Sequence, residues 1–330
     1  MLIILKWILG IIGLVFLLIY PKLFGIYFTN VLVIFGVYAL YAVTLNLLLG
    51  FTGLLCFGMA MFFGVGGYAT ALGLTHIEGL PLLVSIAFGP LASVTLALIL
   101  SPLLVRVSGT AFAMLTMAFG QLMYVLALKL RAITGGEDGI GGFPIPPLNI
   151  PGIVSIDMAD PTNFYYFAAV LLIGSIWILW FFTKTPFGSI MVSVRDNADR
   201  VDYMGFKVPQ TKAVIFLIAG GFAGIAGSIY ALFQNLISAD GAFHILNSFQ
   251  PLMMCVLGGL GSFFGPIIGS GVFSVLEELT SRYTERVELT TGLVLVLVIL
   301  FTPMGITGLT KIAREKWLMR SQVVTEGEEV

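Results

Sequence analysis

Long apolar runs separated by short polar punctuation dominate the chain, and their lengths set the first reading. A helix needs about 20 mostly apolar residues to cross a bilayer, and runs of that kind fall at 3–20, 27–49, 52–73, 81–105, 110–128, 163–183, 212–237 and 286–303. They predict an all-α integral membrane protein with about 8 full transmembrane helices in one transmembrane domain, 1–330. A further apolar stretch, 245–279, is broken by "GGLGSFFGP". Its first part, 248–257, is long enough for only ~15 Å of helix. That predicts a split-helix or re-entrant hairpin, or else two further crossings, for 8–10 spans in all.

The polar positions are clustered rather than scattered. Residues 184–212, "KTPFGSIMVSVRDNADRVDYMGFKVPQTK", hold eight of the chain's 33 Lys, Arg, Asp and Glu. Within them Phe187, Ile190, Met191, Val194, Ala198, Val201 and Met204 recur at steps of three and four, which is one apolar helix face. Thr185 before Pro186 reads as a helix start, and Gly205 as a left-handed close. Asp196 with Arg200, and Arg195 with Asp199, are spaced as i, i+4 pairs along a single helix 187–205. Such a helix either lies flat on the membrane or docks into a protein groove. Surface-lying helices are rich in Lys and Arg, whereas this one carries two Arg against three Asp, a balance that suits a protein partner better.

Lys and Arg counts on short loops fix orientation. Placing the N-terminus, the 106–109 turn, the 184–212 loop and the 304–330 tail in the cytoplasm puts eleven of sixteen basic residues inside. The 129–162 loop is then external, and 245–279 must enter and leave on the outer side. The apolar run at 3–20 exceeds the length of a signal-peptide core and lacks a small-x-small cleavage site, so it is read as a retained span.

Composition agrees with the pattern: 58% of the 330 residues are apolar and 10% charged, with no basic run suited to nucleic acid. The 39 glycines suit helices that pack closely, and two interrupted Gly-rich segments, 50–73 and 245–279, are also what a transport pathway would show. Cys56 and Cys255 read as packing residues, and His76 and His244 as interfacial ones. The predicted spans lack mid-depth Asp, Glu, Lys and Arg, which weakens a proton-coupled carrier. Glu277 and Glu278 are placed at the outer surface, in a solvated charged turn. With no G-x-S-x-G elbow, metal-ligand spacing or P-loop, neither catalysis nor ATP binding by this chain is supported.

Five blocks, in order, resemble the permease subunits of branched-chain amino acid ABC transporters of the LivM type. "GLLCFGMAMFFGVGGYA" is similar to the family's G-L-L-S-F-G-H-A-A-F-F-G-I-G-A-Y, and "SGTAFAMLTMAFGQ" to R-G-x-Y-F-A-M-x-T-L-A-F. "TGGEDGIGG" resembles T-G-G-x-D-G-L, and "VLGGLGSFFGPIIGSG" resembles G-G-x-G-x-x-x-G-P-x-x-G-A. The stretch from "TPFG" to "AGGFAGIAG" resembles the family's charged helix and the span after it.

The resemblance implies an importer in which two permease chains form the pathway. Two cytoplasmic ATPases carrying ATP and Mg power it, and an external solute-binding protein delivers substrate. It implies that Arg195, Asp196, Asp199, Arg200, Asp202 and Gly205 belong to a coupling helix held by the ATPase. Gly58, Gly64, Gly66, Gly67, Thr116, Gly258, Gly259, Gly261, Gly265 and Pro266 fall in the blocks assigned to the translocation path. Thr134, Gly135, Gly136, Asp138 and Gly139 form the external motif near the binding protein. Cys56, Met59 and Ala111 depart from the family's Ser, His and aromatic residue, which leaves open branched-chain amino acids, urea, amides or another small solute. A stand-alone ion-coupled carrier or channel is the competing class.

Overall fold

At membrane depth the backbone has no water to bond, so helices form wherever an apolar run is long enough, and irregular backbone survives only where protein satisfies it. The computed structural model describes residues 2–150, 154–283, 287–301 and 305–308. Helix α1 (Leu2–Asn46) breaks at Gly25, whose φ is 75°, and ends in a π-helical turn, Leu47–Phe51. There follow α2 (Met59–His76), α3 (Leu82–Leu104), α4 (Thr110–Lys129), α5 (Arg131–Thr134), α6 (Pro161–Lys184), α7 (Pro186–Asp196), α8 (Ala198–Tyr203) and α9 (Val208–Gln234). After them come α10 (Ala239–Phe243), α11 (Ile245–Gly258), α12 (Gly265–Tyr283) and α13 (Val287–Phe301).

Among the described residues, five helical segments are long and apolar enough to cross a bilayer: Gly25–Phe51, α3, α4, α6 and α9. At 1.5 Å per residue their lengths come to about 30–40 Å, which covers the hydrocarbon core. The fold is that of an all-α membrane protein. The run expected at 3–20 is helical and lies ahead of the Gly25 break, and the run expected at 286–303 is the shorter α13. The span expected at 52–73 starts late, because 52–58 is not regular helix and α2 begins only at Met59. Most of Gly25–Phe51 and α9 is buried, whereas α3, α4 and α6 bury a third or less. Their exposed faces carry Ile99, Met114, Val170, Trp177 and Phe181, the apolar surface that lipid would cover.

At the centre α2, α3 and α9 pack against one another. Small residues set the spacing. A Cβ on Gly66 would overlap the Gly224 backbone, one on Gly227 would overlap the Phe63 carbonyl, and one on Gly89 would meet the Ser228 hydroxyl. Close approach lets short polar side chains bond across the helices: Thr70 Oγ1 to Ser228 Oγ at 2.9 Å, and Ser93 Oγ to the Phe62 carbonyl at 2.8 Å. Large rings fill the adjoining space, Phe62 standing edge-on to Phe216 at 5.1 Å.

The hairpin expected over 245–279 is present as α11 and α12, packed along each other with a break at 259–264. α11 is 14 residues, about 21 Å, and so longer than the expected 248–257. It gains a turn at its start, where His244 Nδ1 accepts from the Leu246 amide at 3.4 Å.

The single helix expected over 187–205 is instead two. Asn197 adopts φ −162° and ψ 97°, and its side chain caps α8 by accepting from the Arg200 amide at 2.9 Å. Asn competes for backbone in this way wherever a cap is geometrically open. The break removes the i, i+4 geometry, so Arg195 pairs with its neighbour Asp196 at 3.0 Å. Thr185 does stand before the helix with Pro186 in its first turn, but its hydroxyl donates back to the Phe182 carbonyl and leaves α7 without a side-chain cap. Gly205, at φ 88°, closes α8 with the Phe206 amide on the Val201 carbonyl and its own amide on Asp202, a Schellman close.

Gly66→Leu forces bulk into a backbone contact, and overpacking of this kind costs about 1–3 kcal/mol or more. The expected result is a sharp loss of monodisperse protein in detergent, whereas Gly174→Leu, where a Cβ meets nothing within 4 Å, leaves it unchanged. Size-exclusion profiles of the two variants make the comparison.

Candidate functional site

The two interrupted segments, far apart in sequence, meet beside α7. After α1 the chain tightens into the π-helical turn Leu47–Phe51, a form frequent at functional sites. It then turns through Gly53, at φ 73°. The irregular backbone is satisfied locally: the Leu54 amide bonds to the Leu48 carbonyl at 2.8 Å, and the Phe57 amide to Thr116 Oγ1 at 3.2 Å. The second break lies against it. Asn46, fully buried, donates from Nδ2 to the Ser262 carbonyl at 2.9 Å. Gly50 approaches so closely that a Cβ there would overlap Asn46 Oδ1 and come 3.0 Å from the Gly261 amide nitrogen.

Arg195, at the end of α7, joins this junction from outside. Its Nη1 donates to the Gly50 carbonyl at 2.6 Å, while Nε and Nη2 hold Asp196 Oδ1 at 3.1 and 3.0 Å. Its stem packs on Gly53, where a Cβ would lie 3.0 Å from Arg195 Cγ. A helical turn at 305–308 backs the hairpin tip: Thr307 Oγ1 donates to the Gly258 carbonyl at 2.7 Å and lies 3.1 Å from Ser262 Oγ. One guanidinium therefore touches the amphipathic loop and the first break, and that break touches the second.

Several residues expected from sequence converge here. Gly258 and Gly265 face one another across the hairpin, Gly259 and Gly261 carry its positive-φ turn, and Pro266 opens α12. Gly58 packs on the Thr116 carbonyl. Gly64, Gly66 and Gly67 sit higher in α2, against Phe243 and α9. The departures from the family pattern are buried at Cys56 and Met59, while Ala111 is exposed.

Asp196, Asp199, Arg200 and Asp202 are exposed on α7 and α8, and the last three form no ion pair among the described residues. The side chain of Arg195 is shared between exposed Asp196 and the Gly50 carbonyl. Thr134–Gly139 lies at the far end of α9. There Ile140 and Gly141 (β1) pair antiparallel with Ile237 and Leu236 (β4), and Gly139 abuts the Ile237 carbonyl. Gly135, at φ 75°, caps α5, and Asp138 pairs with Arg131 at 3.5 Å on the surface. A second short ladder joins β2 (Leu148–Ile150) to β3 (Val154–Ile156) in the same connection.

Asn46, Gly50, Ser262 and Thr307 were not singled out from sequence. The available signal was Asn46, a lone amide within the apolar run "YAVTLNLLLG", because a polar side chain at that depth must find a partner.

Apolar helices around a buried core, with two interrupted segments in contact, define a multi-pass membrane protein of transporter type. The branched-chain amino acid transport system permease component family matches residues 27–303, and the chain belongs to that family. LivM, the high-affinity branched-chain amino acid transport system permease protein of Salmonella typhimurium, is 29% identical over 294 residues, covering 83% of this chain and 68% of its own. The LivM of Escherichia coli is 28% identical over the same shares. The LivH permease protein of Escherichia coli is 31% identical over 107 residues, 32% of this chain and 34% of its own. No solved structure matches the chain. The protein is thus a membrane-embedded permease component of a transport system and not an enzyme.

Removing the charged donor at Gly50 tests the junction. A hydrogen bond to a charged group contributes about 1.5–3 kcal/mol, so Arg195→Met is expected to speed hydrogen exchange of the Gly53 and Leu54 amides. Mass spectrometry of peptides spanning 47–57 reads this, and unchanged exchange would mean that the contact holds nothing in place.

Proposed function

We propose that this chain is one permease subunit of an ATP-driven importer for branched-chain amino acids or closely related small solutes, seated in the cytoplasmic membrane. It pairs with a second, homologous permease to enclose the pathway. Two ABC ATPases, which carry the ATP and Mg, grip α7 and α8, and a solute-binding protein docks at the opposite face. The loop-charge rule supports this orientation, with both termini and the α7–α8 loop in the cytoplasm. The Thr134–Gly139 motif, on the other side, belongs to the binding-protein face. The glycines of α2 and of the hairpin let the backbone line or border the path, with Thr116 beside Gly58.

The observation that carries the ATPase assignment is at the close of α8. Tyr203 is 90% exposed, Met204 60% and Phe206 45%, and all three flank Gly205. Three large apolar side chains around a tight turn are costly to leave in water, and such patches mark contact surfaces. Asp199, Arg200 and Asp202 surround them as a mixed-charge rim, the arrangement of an interface with an apolar centre and polar edge. Because Arg195 is committed to Gly50, the rim residue to test by charge is Arg200.

Tyr203→Ala combined with Phe206→Ala should reduce co-purification of the ATPases by on the order of tenfold or more, as loss of interface anchors does. Arg200→Glu should have a smaller, salt-dependent effect. Undiminished ATPase recovery with the double variant, in protein that remains monodisperse, would refute the docking assignment.

A further inference from the structure

Glu277 does not stand in a solvated turn. It is half-buried on α12 and faces a cavity of about 540 Å³, whose wall also includes Tyr38, Tyr230, Gln234, Gln250 and Ser274. The neighbouring Glu278 is occupied: Arg282 Nη2 and Nε donate to its Oε1 at 3.0 and 3.1 Å, and the Tyr27 hydroxyl donates to the same oxygen. Glu277 has no hydrogen bond and no cation beside it among the described residues. One helical turn earlier on the same face, the Ser274 hydroxyl is buried and also lacks a partner. An adjoining cavity of about 680 Å³ shares Val31, Ile34, Gln234 and Glu278, and the Asn235 Oδ1 on its wall is likewise buried without a partner.

A carboxylate held partly out of water, with no compensating charge, is costly. Two buried oxygens without partners and a half-buried carboxylate without a counter-charge, around two cavities that share wall residues, are what a site shows when its ligand supplies the missing partners. We propose that this cavity binds a small solute carrying an ammonium group. Glu277 is the counter-charge, and Ser274 accepts a further N–H. The amide donors of Gln234 and Gln250 and the phenols of Tyr38 and Tyr230 are placed to take a carboxylate or amide at the other end of the same molecule. Zwitterionic amino acids fit this set of groups, and the volume falls in the ordinary range for small-ligand sites. The identification of the ammonium solute as the transported amino acid rests on the importer reading above, whereas the cation preference of the cavity does not.

Thiol probes separate the two. Cys56 and Cys255 are buried, so Gln250→Cys introduces the accessible thiol in the full chain, with Ser281→Cys at the cavity edge as a second position should the first variant fold poorly. The rates of modification by a cationic (trimethylammonium-ethyl) and an anionic (sulfonatoethyl) methanethiosulfonate are compared with and without Glu277→Gln. The cationic-to-anionic ratio is expected to fall on the order of tenfold when Glu277 is neutralised. An unchanged ratio at both thiol positions overturns the cation site. Leucine should then slow the cationic reaction, and 4-methylpentanoate, which lacks the amino group, should not. Equal protection by the two would also overturn ammonium recognition. A Glu277-dependent ratio with protection by ethylammonium but not by leucine would keep the cation site and sink the amino acid reading.

Discussion

The organisation of this protein depends on one backbone carbonyl, that of Gly50, being held by the guanidinium of Arg195 at 2.6 Å. Gly50 lies in the π-helical turn where α1 stops being regular helix, and an irregular turn at that depth persists only if its polar groups are met from outside. Arg195 meets one of them, and Asn46 carries the constraint onward to the Ser262 carbonyl in the hairpin break. α7 is thus in contact with the first break, and the first break with the second. A charge-assisted bond is roughly twice as strong as a neutral one, which suits a contact that ties an outer helix to irregular backbone.

Around that junction the membrane interior is assembled by shape. Without water between apolar helices there is no hydrophobic drive toward one partner over another, so close fit decides. The Gly66–Gly224 and Phe63–Gly227 approaches hold α2 against α9, and the Thr70–Ser228 bond exists because those approaches bring the hydroxyls within 2.9 Å. The same glycines that resemble a family pathway are thus packing residues in this chain.

Much of this was legible from pattern. Five long apolar runs became helices of spanning length, since hydropathy and length decide that question alone. The broken hairpin was visible because "GGLGSFFGP" cannot continue a helix. The internal break at Asn197 was not: the apolar period runs through it unbroken, and only the competition of one amide for the Arg200 N–H splits the helix. The late start of α2 was hidden similarly, because "GFTGLLCFG" is as apolar as any span. Its irregular course depends on Thr116, about sixty residues away. Arg195 reads in sequence as an i, i+4 partner of Asp199 and a coupling-helix residue, while its bond to the Gly50 carbonyl has no signature in sequence.

The most direct test of the link is the ratio of solute moved to ATP hydrolysed, measured in vesicles containing the complete transporter with Arg195→Met. If Arg195 carries motion from α7 into the two breaks, ATPase binding and hydrolysis persist while uptake per ATP falls by on the order of tenfold, the effect of losing about 1.4 kcal/mol of coupling. An unchanged ratio in a complex that still binds its ATPases would contradict the account.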